Sequence, residues 1–221
     1  MRRVYCISGL GADERIFSKL NVPEAEFIYL RWFTPEKEES IAAYASRMKE
    51  QVGPVEDPVF MGVSFGGMMA IELTKYYTAA TVVLISSVKS RKELPTWMKW
   101  VSLLGLYRLV PSRSKGRFRT IGRGFLGEES EEEIRLSDEF RQNIDPAYLY
   151  WSIKQIVSWK NSWRPPGLYH IHGSKDKTFP LRRIEATHVI PGGGHFMVMN
   201  RGKEVSAILQ ALLAKLSGSI H

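Results

Sequence analysis

A single cysteine among 221 residues excludes an internal disulfide. The framework is therefore not that of a small secreted disulfide scaffold, and a reducing cytoplasm is the expected compartment. Cys6 sits in the apolar run Val4 to Ile7, where a small buried side chain is the expected role. Long hydrophobic runs are missing as well: nothing approaches the ~18 apolar residues of a membrane span. Arg2 and Arg3 precede an apolar stretch, but Ser8 and Gly9 break it before it reaches the length of a secretory signal core. Zinc-finger, RNA-recognition and helix-turn-helix patterns are also missing, so the net charge of +8 does not imply a nucleic-acid partner. Arg113, Lys115, Arg117, Arg119 and Arg123 form a basic stretch, and Glu128, Glu129, Glu131, Glu132 and Glu133 follow at once. That sequence reads as a locally neutralised surface rather than a phosphate-binding patch.

What is present is an alternation of β-branched apolar runs with amphipathic stretches, the pattern of βα units around a parallel sheet. Arg3 to Ile7, Glu26 to Leu30, Pro58 to Val63 and Thr81 to Ser86 read as strands. Asp13 can cap a short helix carrying Ile16, Phe17 and Leu20. Thr34 and Pro35 make an N-cap and first-turn pair for a helix with Ile41, Tyr44, Ala45, Met48 and Val52 at helical spacing, ending at Gly53-Pro54. Phe65 to about Tyr77 reads as the next helix.

Beyond Ser87 the texture changes to helical spacings with Trp97, Trp100, Tyr107, Trp151, Trp159 and Trp163. This reads as a helical cap over residues 91–164, inserted into a core formed by 1–90 and 165–221. Ser130 with Glu133 gives a capping-box start inside it, and Pro165-Pro166-Gly167 closes it. The sheet pattern resumes with Leu168 to Ile171 and Thr187 to Ile190, and Lys203 to Leu216 is a closing amphipathic helix.

Gly62-Val63-Ser64-Phe65-Gly66 fits G-x-S-x-G directly after a strand and directly before a helix. Such a turn holds the serine in a strained conformation, and the flanking glycines let neighbouring chain pass without Cβ clashes. A serine hydroxyl needs a base to accept its proton, and a third group must hold the base in the right tautomer. Asp176 follows the Leu168 to Ile171 strand, and His195 follows the last strand, both on the strand edge that carries Ser64. Ser, Asp, His is the chain order of one hydrolase architecture and not that of chymotrypsin or subtilisin. Oxyanion donors are expected from the backbone N–H groups of Phe65 and of Leu10, the latter in the glycine-flanked turn Gly9-Leu10-Gly11. Gly9-x-Gly11 is not a dinucleotide fingerprint, because Glu14 stands where the third glycine is needed. His170 and His172 lie two apart on a strand without cysteine partners or a helical His-Glu pair, so no metal is expected. Cap aromatics Trp97, Trp100, Tyr148 and Trp151, with Gly9 and Gly11, are candidate walls of a substrate pocket.

Together these residues resemble the α/β-hydrolase superfamily over essentially the whole chain. His172-Gly173-x-x-Asp176-x-x-x-Pro180 is similar to the family's acid loop, and Gly193-Gly194-His195 to its histidine loop. Ser8-Gly9 stands where family members commonly carry His-Gly. The chain begins at what resembles the family's third strand, which implies an α/β fold with a mostly parallel sheet of about six strands. The resemblance implies a cofactor-free serine hydrolase acting on a small-molecule carboxylic ester or thioester. Lyases, carbon-carbon bond hydrolases and receptor-like members share the same three residues and stand as alternatives. Fold analogy alone names no substrate, and oligomeric state is not legible.

Overall fold

A computed structural model of the chain describes residues 1–109 and 126–218. The basic stretch from Arg113 to Arg123 lies outside the described residues. Six strands, β1 (Arg2–Ile7), β2 (Ala25–Tyr29), β3 (Val59–Val63), β4 (Thr81–Ile85), β5 (Gly167–Gly173) and β6 (His188–Ile190), form one sheet. Their order is β2-β1-β3-β4-β5-β6, and every neighbouring pair is parallel. The described helices are α1 (Ile41–Met48), α2 (Phe65–Thr74), α3 (Thr96–Leu103), α4 (Glu131–Asn143), α5 (Pro146–Ser158), α6 (Met197–Asn200) and α7 (Gly202–Gly218).

Strand alternation sends Tyr5, Ile7, Phe60, Val82 and Leu84 into one apolar cluster with residues of α1 and α2. Val4, Cys6, Met61, Val83 and Ile85 go into another with residues of α6 and α7. Both faces of the sheet are thus covered, which is why its strands are apolar throughout. From β1 the chain moves outward to β2, and from β3 it moves the other way to β4. The loops that leave the carboxyl ends of β1 and β3 therefore part company, and a crevice opens at that switch point.

The sequence pattern misplaced one helix start. Thr34 and Pro35 do not open α1; Ser40 does, its hydroxyl accepting the Ala43 N–H at 3.1 Å. The intervening residues are drawn into a turn, because the buried Glu39 carboxylate accepts the Glu36 N–H at 2.9 Å and pairs with Arg47 at 2.8 Å. Asp13 caps a short 3-10 turn, Glu14–Phe17. Ser130 caps α4 through the Glu133 N–H at 3.2 Å, but the Glu133 carboxylate reaches back to the Glu129 N–H, one residue further than a capping box requires.

The helices between β4 and β5 are fastened to the rest by their indoles. Trp151 Nε1 donates to the Glu39 carbonyl at 2.8 Å, Trp159 Nε1 to the buried Glu72 carboxylate at 2.7 Å, and Trp163 Nε1 to Thr74 Oγ1 at 3.0 Å. Among the described residues no helix is long and apolar enough to cross a membrane.

Candidate active site

Ser64 stands between β3 and α2 with φ 54° and ψ −119°, a conformation that a non-glycine residue holds only where its surroundings enforce it. The enforcement comes from contact with β1 and β3. A Cβ on Gly66 would lie 2.2 Å from the Ile7 carbonyl oxygen, and one on Gly62 would lie 2.3 Å from the Gly66 oxygen. Only glycines let the start of α2 press this closely on the strands. The Ser87 hydroxyl donates to the Ser64 carbonyl at 2.6 Å and anchors the turn from the β4 side.

Two further loops reach the same edge and are stitched to each other. Ser174 N–H donates to the Ile190 carbonyl at 3.1 Å, and Lys175 N–H to the Gly193 carbonyl at 2.8 Å. Gly192 N–H donates to Ser174 Oγ at 2.8 Å. This stitching sets Asp176 beside His195. Asp176 Oδ2 lies 2.9 Å from His195 Nδ1, and His195 Nε2 lies 2.9 Å from Ser64 Oγ. Asp176 Oδ1 accepts the N–H groups of Thr178 and Phe179, each at 2.8 Å.

Burial would raise the Asp176 carboxyl, but the His195 ring, the Phe179 N–H and His172 outweigh it and hold the group below the ordinary carboxylate value. An ionised Asp176 makes His195 Nδ1 the protonated nitrogen, which leaves Nε2 free to accept the Ser64 hydroxyl proton. Behind Asp176, His172 Nε2 donates to the Phe179 carbonyl at 2.7 Å and Nδ1 faces His170 Nε2 at 3.3 Å. Burial holds both rings in the neutral form, His170 well below its ordinary value. These histidines support the acid loop from within the core.

The N–H of Phe65, at the first position of α2, and that of Leu10, in the loop after β1, have no acceptor among the described residues. Gly9 lies directly against Ser64, since a Cβ there would be 3.5 Å from the Ser64 Cβ. The loop's shape comes from a strap: Ser8 Oγ donates to the Ala12 carbonyl at 2.6 Å and accepts from Trp32 Nε1 at 3.1 Å. The Trp32 ring also stacks on Phe65, with centroids 5.1 Å apart and planes 6° from parallel. One indole therefore touches both of the loops that carry a free N–H.

Residues 4–208 match the profile of the alpha/beta hydrolase family. The chain belongs to that family. A search of curated proteins by sequence finds no significant match. Solved structures resemble this α/β-hydrolase in fold. A thermophilic esterase from Thermogutta terrifontis is 18% identical with a TM-score of 0.65, over 97% of this chain and 90% of that one. The meta-cleavage product hydrolase of Pseudomonas fluorescens is 16% identical with a TM-score of 0.68, over 98% and 92%. A bromoperoxidase from Bacillus anthracis is 19% identical with a TM-score of 0.65, over 96% and 92%.

In this α/β-hydrolase Ser64 and His195 open on a cavity of about 330 Å³. One wall is the loop Gly9, Leu10, Gly11 and Ala12. The facing wall is α4, through Ser137, Phe140 and Arg141, with Ile144 just past its end, Leu149 and Ile156 of α5 and Met98 of α3. Gly9 and Gly11 line the cavity as the sequence suggested, but the four candidate aromatics do not. Trp97 and Trp100 project from α3 into solvent. Trp151 is held against Tyr44 of α1, centroids 4.5 Å apart, and Tyr148 against Trp32 of the loop before α1 at 5.5 Å. Tyr148 also borders a second hollow with Gly11, Trp32 and Ile144. The residues that do line the cavity from this side, Ser137, Phe140, Arg141 and Ile144, recur at helical spacing on a segment whose other positions are mostly charged.

Proposed function

We propose that this α/β-hydrolase cleaves a carboxylic ester or thioester of a largely apolar acyl group through an acyl-enzyme on Ser64. The observation that carries the reading is the chain Ser64 Oγ, His195 Nε2, His195 Nδ1, Asp176 Oδ2, closed by two contacts of 2.9 Å at the mouth of an apolar cavity. Ser64 attacks the acyl carbon while His195 takes its proton. Asp176 keeps the ring in the required tautomer and stabilises the imidazolium that forms. The free N–H groups of Phe65 and Leu10 receive the oxyanion, the first held at a helix start and the second by the Ser8 strap. His195 then protonates the leaving group, and water repeats the sequence on the acyl-enzyme. The apolar walls favour a hydrocarbon acyl part over a charged one. In this reading residues 91–164 act as a cap on the core formed by 1–90 and 165–221, and the reducing cytoplasm remains the proposed compartment.

The test is labelling with a fluorophosphonate probe together with turnover of p-nitrophenyl esters of increasing chain length. Wild type should label, show a burst and turn over short and medium esters; Ser64→Ala should lose all of these while staying folded. A folded wild type that neither labels nor hydrolyses any ester would overturn the reading, and the lyase and receptor alternatives would replace it.

A further inference from the structure

α3 turns Met98 into the cavity and leaves its other side in solvent. Trp97 and Trp100 are 54% and 55% exposed, and Leu103 and Leu109 are 71% and 77% exposed. Trp97, Trp100 and Leu104 recur at a spacing that puts them on one helix face, and Leu106 extends the apolar surface past the helix end. Single exposed apolar residues need no explanation, but a contiguous group containing two indoles marks an interaction site.

The charge around this face has one sign. No aspartate or glutamate occurs among residues 94–109. Lys92, Arg108 and Arg182 are exposed and Lys99 is half-buried. The carboxylates of Glu93 and Glu185 are taken up by Lys89 and Arg164. Arg183 donates to Thr96 Oγ1 at 2.6 Å, which places the 3-10 turn Leu181–Arg183 against the start of α3. Partial burial, then Arg183 and Arg91, hold the Lys99 ammonium below its ordinary value, as expected where cations gather without counter-charge.

We propose that this face docks on an anionic lipid bilayer, with Trp97, Trp100 and Leu104 entering the interfacial layer and Lys92, Lys99, Arg108 and Arg182 meeting lipid phosphates. Indoles suit that layer because one edge is polar and the body apolar. Basic side chains beside a bilayer add attraction that salt screens. A second copy of the chain would bring like charges together, and a nucleic acid would leave the leucines without a partner. The helix is far too short to span and lies on the surface. Since α3 also supplies Met98 to the cavity, docking brings the cavity close to a store of apolar substrates. The proposal stands apart from the chemistry of Ser64 and is tested without it.

The 221-residue chain is sedimented with vesicles of phosphatidylcholine alone and of phosphatidylcholine with an equal part of phosphatidylglycerol, at low and high salt. Wild type should bind the anionic vesicles and lose most of that binding at high salt. The pairs Trp97→Ser with Trp100→Ser, and Lys99→Glu with Arg182→Glu, should each weaken binding by about tenfold or more. Both pairs should keep the far-ultraviolet circular dichroism of the folded wild type. No binding to the anionic vesicles, equal binding to both vesicle types, or variants that bind like wild type would each overturn the proposal. So would a concentration-dependent dimer that the tryptophan pair abolishes, since the face would then belong to a second copy.

Discussion

The loops that carry Ser64, Asp176 and His195 and the helix α4 that faces them across the cavity are held in place by different bonds. The loops are joined backbone to backbone, as in Lys175 N–H to Gly193 O at 2.8 Å, and close approach is guaranteed by glycines. α4 buries Phe140 in the core, but its flanks are tied down by ion pairs of mostly half-exposed side chains: Arg15 with Glu139 at 2.7 Å, Lys19 with Glu132 at 3.1 Å and, just before the helix, Arg201 with Glu129 at 2.7 Å. Backbone bonds under glycine packing fix geometry to fractions of an ångström, which proton transfer requires. Exposed ion pairs contribute about 0–1 kcal/mol each and yield to salt. A rigid set of loops is thus placed opposite a wall whose flanks are held by exchangeable side-chain pairs.

Breaking the rigid side should have the largest effect. His195→Ala is expected to lower kcat by roughly 10⁵- to 10⁶-fold, and combining it with Ser64→Ala should add little, because the two act as one unit; single-turnover and steady-state rates on a p-nitrophenyl ester measure both. Trp32→Phe keeps the ring on Phe65 and removes the indole donor to Ser8. It should lower kcat by roughly tenfold with KM unchanged, since a loosened oxyanion loop costs transition-state stabilisation and not substrate binding; an equal rise in KM would assign Trp32 to packing alone.

The buried pair behind the acid gives a pH test of the same rigid side. In the folded chain His170 and His172 titrate below the ordinary value of 6.5, so on acidification the unfolded chain takes up protons that the folded chain refuses. Their contribution to stability is complete above pH 6.5 and is lost as pH falls from there through the folded values. Each contributes a slope of up to about 1.4 kcal/mol per pH unit. Urea denaturation between pH 7 and 5, which brackets the ordinary histidine value, should show His170→Leu with a shallower decline than wild type. The smallest effect belongs to the ion-paired side. Glu129→Gln combined with Glu132→Gln should cost under about 2 kcal/mol by the same measurement and change kcat less than threefold. A loss of activity comparable to that of Trp32→Phe would erase the distinction between the two walls.

Strand positions, the six-stranded parallel sheet and the meeting of Ser64, Asp176 and His195 were legible because each depends on local rules: β-branched runs, glycines at a tight turn, a loop after each strand. The start of α1 was not, because Glu39 found Arg47, a partner eight residues away, and turned Thr34–Pro35 into loop. Where the aromatics of this region come to lie was not legible for a related reason. A tryptophan's spacing says which side of a helix it occupies, but whether that side meets a cavity, a neighbouring helix or solvent depends on elements distant in sequence. Trp151 met the Glu39 carbonyl, and Trp97 stayed more than half exposed.

By itself the sequence determined the family, the sheet and which three residues meet at its carboxyl edge, because these follow from local periodicity and from turns whose backbone demands particular residues. Only the tertiary structure decided which residues wall the cavity, that Trp32 joins the two loops with free N–H groups, and that α3 leaves two indoles in solvent. Those outcomes depend on how helices from separate parts of the chain settle against the sheet, and no window of consecutive residues contains that information.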